Sequence, residues 1–140
     1  MRVVLDPNVL LSALISPDGP PREILTAWTQ GRFDLIASPA LLDELRDVLA
    51  RSEFRRWVDT ATATEYVDGL ADGALVIDDP PGQPGLSPDP DDDYLVTLAH
   101  ASNAGYLISG DRHLTRLPDP EPPVLTPRQF VDRLNEAGGA

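Results

Sequence analysis

Strand-like apolar runs alternate with helix-spaced apolar stripes along this chain. Val3-Val4-Leu5 is a short apolar run ending at Asp6-Pro7, which reads as a fully buried parallel strand with an acid at its carboxyl end. Pro7 biases Asp6 towards an extended backbone. Val9, Leu10, Ala13 and Leu14 recur at helical spacing until Ser16-Pro17-Asp18-Gly19-Pro20 breaks the pattern. Pro21 suits the first turn of a second helix, which runs to about Gln30 with Gly31 as its stop. Asp34–Ala37 reads as a second strand. Ser38 caps and Pro39 opens a helix carrying Leu41, Leu42, Leu45, Val48 and Leu49. Helical pieces follow around Glu53–Val58 and Thr64–Asp72, then a third strand at Ala74–Ile77. The Pro/Gly-rich stretch Asp79–Pro90 is a loop whose length suggests function or mobility. A helix over Asp91–Ser102, strands at Tyr106–Ser109 and Val124–Leu125, and a closing helix over Pro127–Glu136 complete the pattern. Gly138-Gly139-Ala140 is expected to fray.

Strands alternating with helices imply an α/β fold in three layers, α/β/α, around a mostly parallel sheet of four to five strands. The 140 residues fit one domain, residues 1–137, with a core that needs no staples. In such folds the ligand site lies beyond the carboxyl ends of the strands. Acidic residues collected at those ends would therefore mark a site.

Composition narrows the chemistry. With no cysteine, disulfides, thiolate catalysis and Cys-based zinc sites are excluded. All eleven basic residues are Arg, so chemistry that needs a lysine, such as that of the P-loop nucleotidases, is excluded too. The net charge of -12 argues against nucleic-acid affinity driven by overall charge. No apolar run is long enough to span a membrane, and Met1-Arg2 leads directly into the first strand. A cytoplasmic protein without a signal peptide is expected.

The acids fall where the topology asks for them. Asp6 closes the first strand, Asp111 stands two residues past the fourth, and Asp89-Pro-Asp-Asp-Asp93 opens the helix between the third and fourth. Each alone has a structural reading, as a turn residue or a helix cap. Together they place several carboxylates at one sheet edge, where repulsion raises their pKa values unless a cation intervenes. Oxygen-only ligands favour a hard ion, Mg²⁺ or Mn²⁺. The helix after Ser38 adds a candidate. With Leu41 at zero on a wheel of about 100° per residue, the apolar side chains span roughly 340° to 100°, and Glu44 falls at about 300°. Asp43 and Asp47 lie further towards solvent, so Glu44 is the acid of this helix that can point inward.

Four segments in register resemble PIN-domain proteins: Val4-Leu5-Asp6-Pro7-Asn8-Val9-Leu10, Ser38-Pro39-Ala40-Leu41-Leu42-Asp43-Glu44-Leu45, Asp89-Pro-Asp-Asp-Asp-Tyr-Leu-Val-Thr-Leu-Ala99, and Tyr106-Leu-Ile-Ser-Gly-Asp111. More narrowly they resemble the VapC-like ribonucleases, toxin components of bacterial toxin–antitoxin systems. The likeness spans roughly residues 2 to 130. It implies that Asp6, Glu44, Asp93 and Asp111 are the four family acids. Asp93 is chosen over Asp91 and Asp92 because its eighteen-residue spacing to Asp111 fits the family pattern, not because periodicity singles it out. Asp92 stands next as a metal ligand, and Asp89 behind it. Asn8 and Ser109 match polar residues that would orient ligands. Pro7 departs from the family, where a Thr is usual.

The resemblance implies hydrolysis of RNA with Mg²⁺ or Mn²⁺, leaving a 5′-phosphate and a 3′-hydroxyl. It also implies a small antitoxin partner and a homodimer. A local basic patch would have to offset the acidity of the chain. Arg46, Arg51, Arg55 and Arg56 lie within eleven residues, with Trp57 beside them for stacking. Trp28 and Tyr94 read as core residues, His100 as a surface residue and His113 as structural. Three rivals stand beside this reading. A haloacid-dehalogenase-like phosphatase would need Asp-x-Asp and a lysine, where this chain has Asp6-Pro7-Asn8 and none. A receiver domain also wants a lysine near its acidic pocket. A PIN domain that binds RNA or protein without cutting is disfavoured by the intact acid set.

Overall fold

The apolar runs become the centre of a parallel sheet. In the computed structural model, which describes residues 1–81 and 93–138, β1 (Arg2–Leu5) leads into α1 (Pro7–Ile15) and α2 (Pro20–Thr29). Next come β2 (Asp34–Ala37), α3 (Pro39–Leu49), a 3-10 turn at Ser52–Phe54, α4 (Thr60–Gly73) and β3 (Leu75–Val76). Then α5 (Asp93–Ala101), β4 (Tyr106–Ile108), α6 (Arg112–Thr115), β5 (Val124–Leu125) and α7 (Pro127–Gly138) complete the described chain.

All strand pairs are parallel, and the five lie in the order β3-β2-β1-β4-β5. The register sets Val4 against Ile36 on one side and against Leu107 on the other. Val3, Val4 and Ile108 are wholly buried, and so nearly are Leu5, Leu35 and Ile36, as a strand covered on both faces requires. By the right-handed crossover rule, the connections that lead out towards β2 and β3 and the connection that returns through α5 to β4 lie on opposite faces of the sheet. α5 accordingly packs on β1 and β4. α7 closes against β5 and α2, with the Phe130 ring edge-on to Phe33 at 5.4 Å and tilted against Tyr106 at 6.0 Å. Trp28 and Tyr94 are partly buried against this core, as expected. No described helix is long and apolar enough to cross a membrane.

The differences from expectation are local. The helical piece expected around Glu53–Val58 is a short 3-10 helix, Ser52–Phe54, followed by turns rather than an α-helix, and Phe54 O accepts from both the Trp57 and Val58 N–H groups. One turn fixes several dihedrals for one or two bonds and does not propagate by itself. α4 begins at Thr60, four residues earlier than expected, because the Asp59 carboxylate caps it by accepting from the Thr62 N–H at 2.7 Å. β3 is shorter than Ala74–Ile77, and as an edge strand it leaves Leu75 and Val76 nearly half exposed. α7 extends to Gly138, two residues past the expected Glu136. The four-residue α6 was not expected at all.

Candidate active site

The strand order reverses direction at β1, whose two neighbours β2 and β4 lead the chain to opposite sides. The crevice beyond the carboxyl ends of β1 and β4 is therefore the topological switch point, where parallel α/β sheets bind ligands. Asp6 and Ser109 stand immediately past these two ends. The Asp6 N–H extends the ladder by donating to Ile108 O at 2.9 Å, and the Ser109 N–H donates to Leu125 O at 3.0 Å. The sheet thus fixes both residues through their backbones before their side chains are considered.

Asp6 is only 4% exposed. Its backbone is extended, as the following Pro7 demands, and it is the N-cap of α1: Oδ1 accepts the Asn8 N–H at 2.9 Å. Pro7 occupies the first helical position, where an N–H would have no intrahelical partner. Oδ2 accepts from the Ser109 hydroxyl at 2.8 Å. That hydroxyl has one proton, already given to Asp6, and its oxygen in turn accepts the Asp111 N–H at 3.0 Å. Ser109 is fully buried, so the chain Asp6–Ser109–Asp111 is held by packing as well as by hydrogen bonds. Asp111 caps α6, with Oδ1 accepting the His113 N–H at 2.8 Å, and its side chain remains 34% exposed. Burial pushes the Asp6 carboxyl above its ordinary range. The Asn8 N–H and the Ser109 hydroxyl pull it back, and the charge of Asp111 adds to the rise. An anionic Asp6 is thus a desolvated acceptor facing a second carboxylate.

Of the four expected acids the described structure brings two together, Asp6 and Asp111. Glu44 is half-buried on α3, while Asp43 and Asp47 are exposed, as the wheel requires. Ser38 opens that helix with its hydroxyl accepting the Leu41 N–H at 3.2 Å. A second cap escaped the sequence reading: Asp79 Oδ2, beyond β3, accepts the Ala40 N–H at 2.9 Å. Asp93 is the first residue of α5. Its side chain, together with Asp89, Asp91 and Asp92, lies outside the described residues. Asn8 meets Asp6 through its backbone, and its side chain is exposed. His100 is exposed, and so is His113, whose Nδ1 stands 3.6 Å from Asp111 Oδ1. Of the four arginines, Arg46 pairs with Asp68 at 2.8 Å; Arg51 and Arg56 are exposed, and Arg55 is half-buried.

Fold and site together define a class: a parallel α/β domain with two coupled carboxylates, Asp6 and Asp111, at the switch-point crevice. Among the described residues there is no group of three or more metal-ligating side chains. The family model described as PIN domain matches residues 2–113, a stretch that contains all four expected acids. The chain belongs to the PIN domain family. It is 26% identical over 145 residues to the uncharacterized protein MJ1680 of Methanocaldococcus jannaschii, over 97% of this chain and 93% of that protein. Among solved structures it is similar to PAE2754 from Pyrobaculum aerophilum, with a TM-score of 0.66, 16% identity and coverage of 97% and 96% of the two chains. It is also similar to VapBC2 from Rickettsia felis, solved bound to a DNA fragment from their promoter. There the TM-score is 0.63 and the identity 18%, over 89% of this chain and 97% of that one. At these identities the structural matches speak for the fold.

Proposed function

We propose that this chain is a divalent-metal-dependent endoribonuclease, the toxin of a type II toxin–antitoxin pair. The observation that carries the reading is the buried Asp6 carboxylate, coupled through the Ser109 hydroxyl to Asp111 at the switch-point crevice. Membership of the PIN domain family supports it. The donors fit a hard cation: they are carboxylate oxygens, and Asp6 and Asp111 repel each other where a positive charge would relieve both. Asp6, Glu44, Asp93 and Asp111 would hold Mg²⁺ or Mn²⁺, with Asp92 the next candidate. Bound there, such an ion polarises a phosphodiester and lowers the pKa of a water molecule.

The chain's own residues do the rest. Ser109 holds the Asp6 carboxylate in one orientation, which leaves its remaining lone pairs for the ion. The Asn8 N–H fixes the other oxygen. Burial of Asp6 keeps bulk water from screening the site. The fold likeness to VapBC2 and the family resemblance support a small antitoxin as partner; the family resemblance alone adds a second copy of the chain, and a cytoplasmic location goes with that reading.

The test is Mn²⁺-dependent cleavage across a panel of tRNA and rRNA fragments, with Asp6→Asn as the control that abolishes it. Undiminished cleavage by Asp6→Asn would falsify the assignment. Metal binding without cleavage of any RNA would instead identify a PIN domain that binds without cutting.

A further inference from the structure

A recess of about 490 Å³ lies between α2 and α7, and none of the residues lining it belongs to the carboxylate crevice. Three of the chain's eleven cations, Arg22, Arg32 and Arg128, share its walls. Arg22 Nη2 donates to Leu14 O at 3.2 Å, and Arg32 Nη2 donates to the Leu134 carbonyl. A backbone carbonyl satisfies a donor without neutralising its charge. Carboxylates do not neutralise it either. Asp18 and Glu23 also line the recess, yet Arg46–Asp68 is the one Arg–carboxylate pair among the described residues. Three cations against two acids leave the recess positive in a chain whose net charge is -12.

Like charges held around one volume repel, and the two carbonyl bonds keep Arg22 and Arg32 from swinging apart. An anion in the recess relieves that repulsion. The three arginines contribute differently. Arg22 Nε is buried without a partner, so this residue supplies charge from the wall rather than donors. Arg32 and Arg128 are exposed, and a guanidinium fork suits the oxygens of a phosphate. The rest of the lining bears on what the phosphate is attached to. The volume lies in the range of sites for small molecules rather than single ions. Thr26, Gln30 and Asn135 can both donate and accept, and Asp18 and Glu23 can accept from hydroxyls. The same two acids would repel a run of several phosphates.

We propose that the α2–α7 recess binds the monophosphate ester of a hydroxyl-rich small molecule, of the size of a sugar phosphate or a mononucleotide. Arg32 and Arg128 take the phosphate, Arg22 adds its charge from the wall, and the neutral and acidic side chains take hydroxyls. The site stands independently of the ribonuclease reading.

The experiment is isothermal titration calorimetry of the full chain with ribose 5-phosphate, AMP, ATP and adenosine. A chelator is present throughout, so that no metal ion in the carboxylate crevice captures phosphate. Ribose 5-phosphate and AMP are expected to bind, the tighter of the two naming the source, and adenosine is not. Arg128→Gln is expected to weaken binding roughly tenfold or more, and Arg128→Glu to abolish it. Arg32→Gln should weaken it as well; should that variant fail to fold, the exposed Arg128 decides alone. Arg116→Gln, at the exposed end of α6, is the charge control and leaves binding unchanged. Failure of both phosphate esters to bind overturns the proposal, and so does affinity unmoved by Arg128→Gln. Adenosine bound as tightly as AMP removes the phosphate from the recognition and overturns it too. ATP bound more than roughly tenfold tighter than AMP overturns the assignment to a single phosphate.

Discussion

The Ser109 hydroxyl is a single atom on which two parts of the site depend, and Ser109→Ala isolates it. The residue is fully buried; its oxygen donates to Asp6 at 2.8 Å and accepts from the Asp111 N–H at 3.0 Å. A hydrogen bond to an ionised group contributes about 1.5–3 kcal/mol, and stranding the Asp111 N–H adds up to about 1 kcal/mol. The expected loss is about 2–4 kcal/mol. At roughly 4 °C per kcal/mol for a domain of this size, the Tm falls by about 8–16 °C. Urea denaturation at neutral pH in the presence of a chelator measures it. The sign with pH is also fixed. Losing the hydroxyl removes something that pulls the Asp6 pKa down, so the folded-state value rises further above the unfolded 3.8. A raised carboxyl contributes stability that is full below the unfolded value and lost as pH rises through the folded one. The gap between the two proteins should therefore widen as pH rises. In an Asp6→Asn background the bond becomes neutral, and the Ser109→Ala cost should fall by about half. A loss under about 0.5 kcal/mol at neutral pH, or a gap that narrows as pH rises, would refute the reasoning.

Three further outcomes follow from the same contacts. Mn²⁺ at about one hundred times its Kd should stabilise the protein by about 2.7 kcal/mol, and calorimetry should show that response abolished in Asp6→Asn; a preserved rise in Tm would move the metal elsewhere. Asp59 caps α4, and the Thr62 N–H holds its carboxyl below the ordinary 3.8. Its contribution is present above that unfolded value and lost as pH falls through the lower folded one, so Asp59→Ala should flatten the acid limb of a stability-against-pH curve while Asp59→Asn keeps a cap. Tyr66 donates from its buried hydroxyl to Leu10 O at 2.8 Å, tying α4 to α1, and burial pushes its pKa above the ordinary range. Tyr66→Phe should cost about 0.5–1.5 kcal/mol in urea denaturation, and an absorbance titration of the native protein should show one tyrosine that resists ionisation.

What the sequence reveals and what it hides divide along the range of the interactions. Val3–Leu5 and Asp34–Ala37 are legible because a strand buried on both faces must be apolar throughout, and its end is marked by the next polar residue. Glu44 is legible because a helical wheel needs only its own eleven-residue helix. The Glu53–Val58 difference arises within this local range: Phe54 and Val58 have helical spacing, and they do share a hydrogen bond, but one turn satisfies the pair. The start of α4 was hidden by Thr60, Thr62 and Thr64, whose branched side chains weaken a helical pattern, although Asp59 ahead of them is a capping signal. The coupling of Asp6 to Asp111 is of another kind. Ser109 lies 103 residues from Asp6, and no spacing within either segment shows that its hydroxyl gives its proton to one acid and takes that of the other's backbone. The same holds for Asp79, which reaches 39 residues back to cap the helix carrying Glu44. Local pattern can say which acids stand at strand ends. Only the sheet, by setting β4 beside β1 rather than beside β3, decides that two of them share one proton-bearing neighbour, and this sharing makes the pair a candidate for chemistry rather than two separate caps.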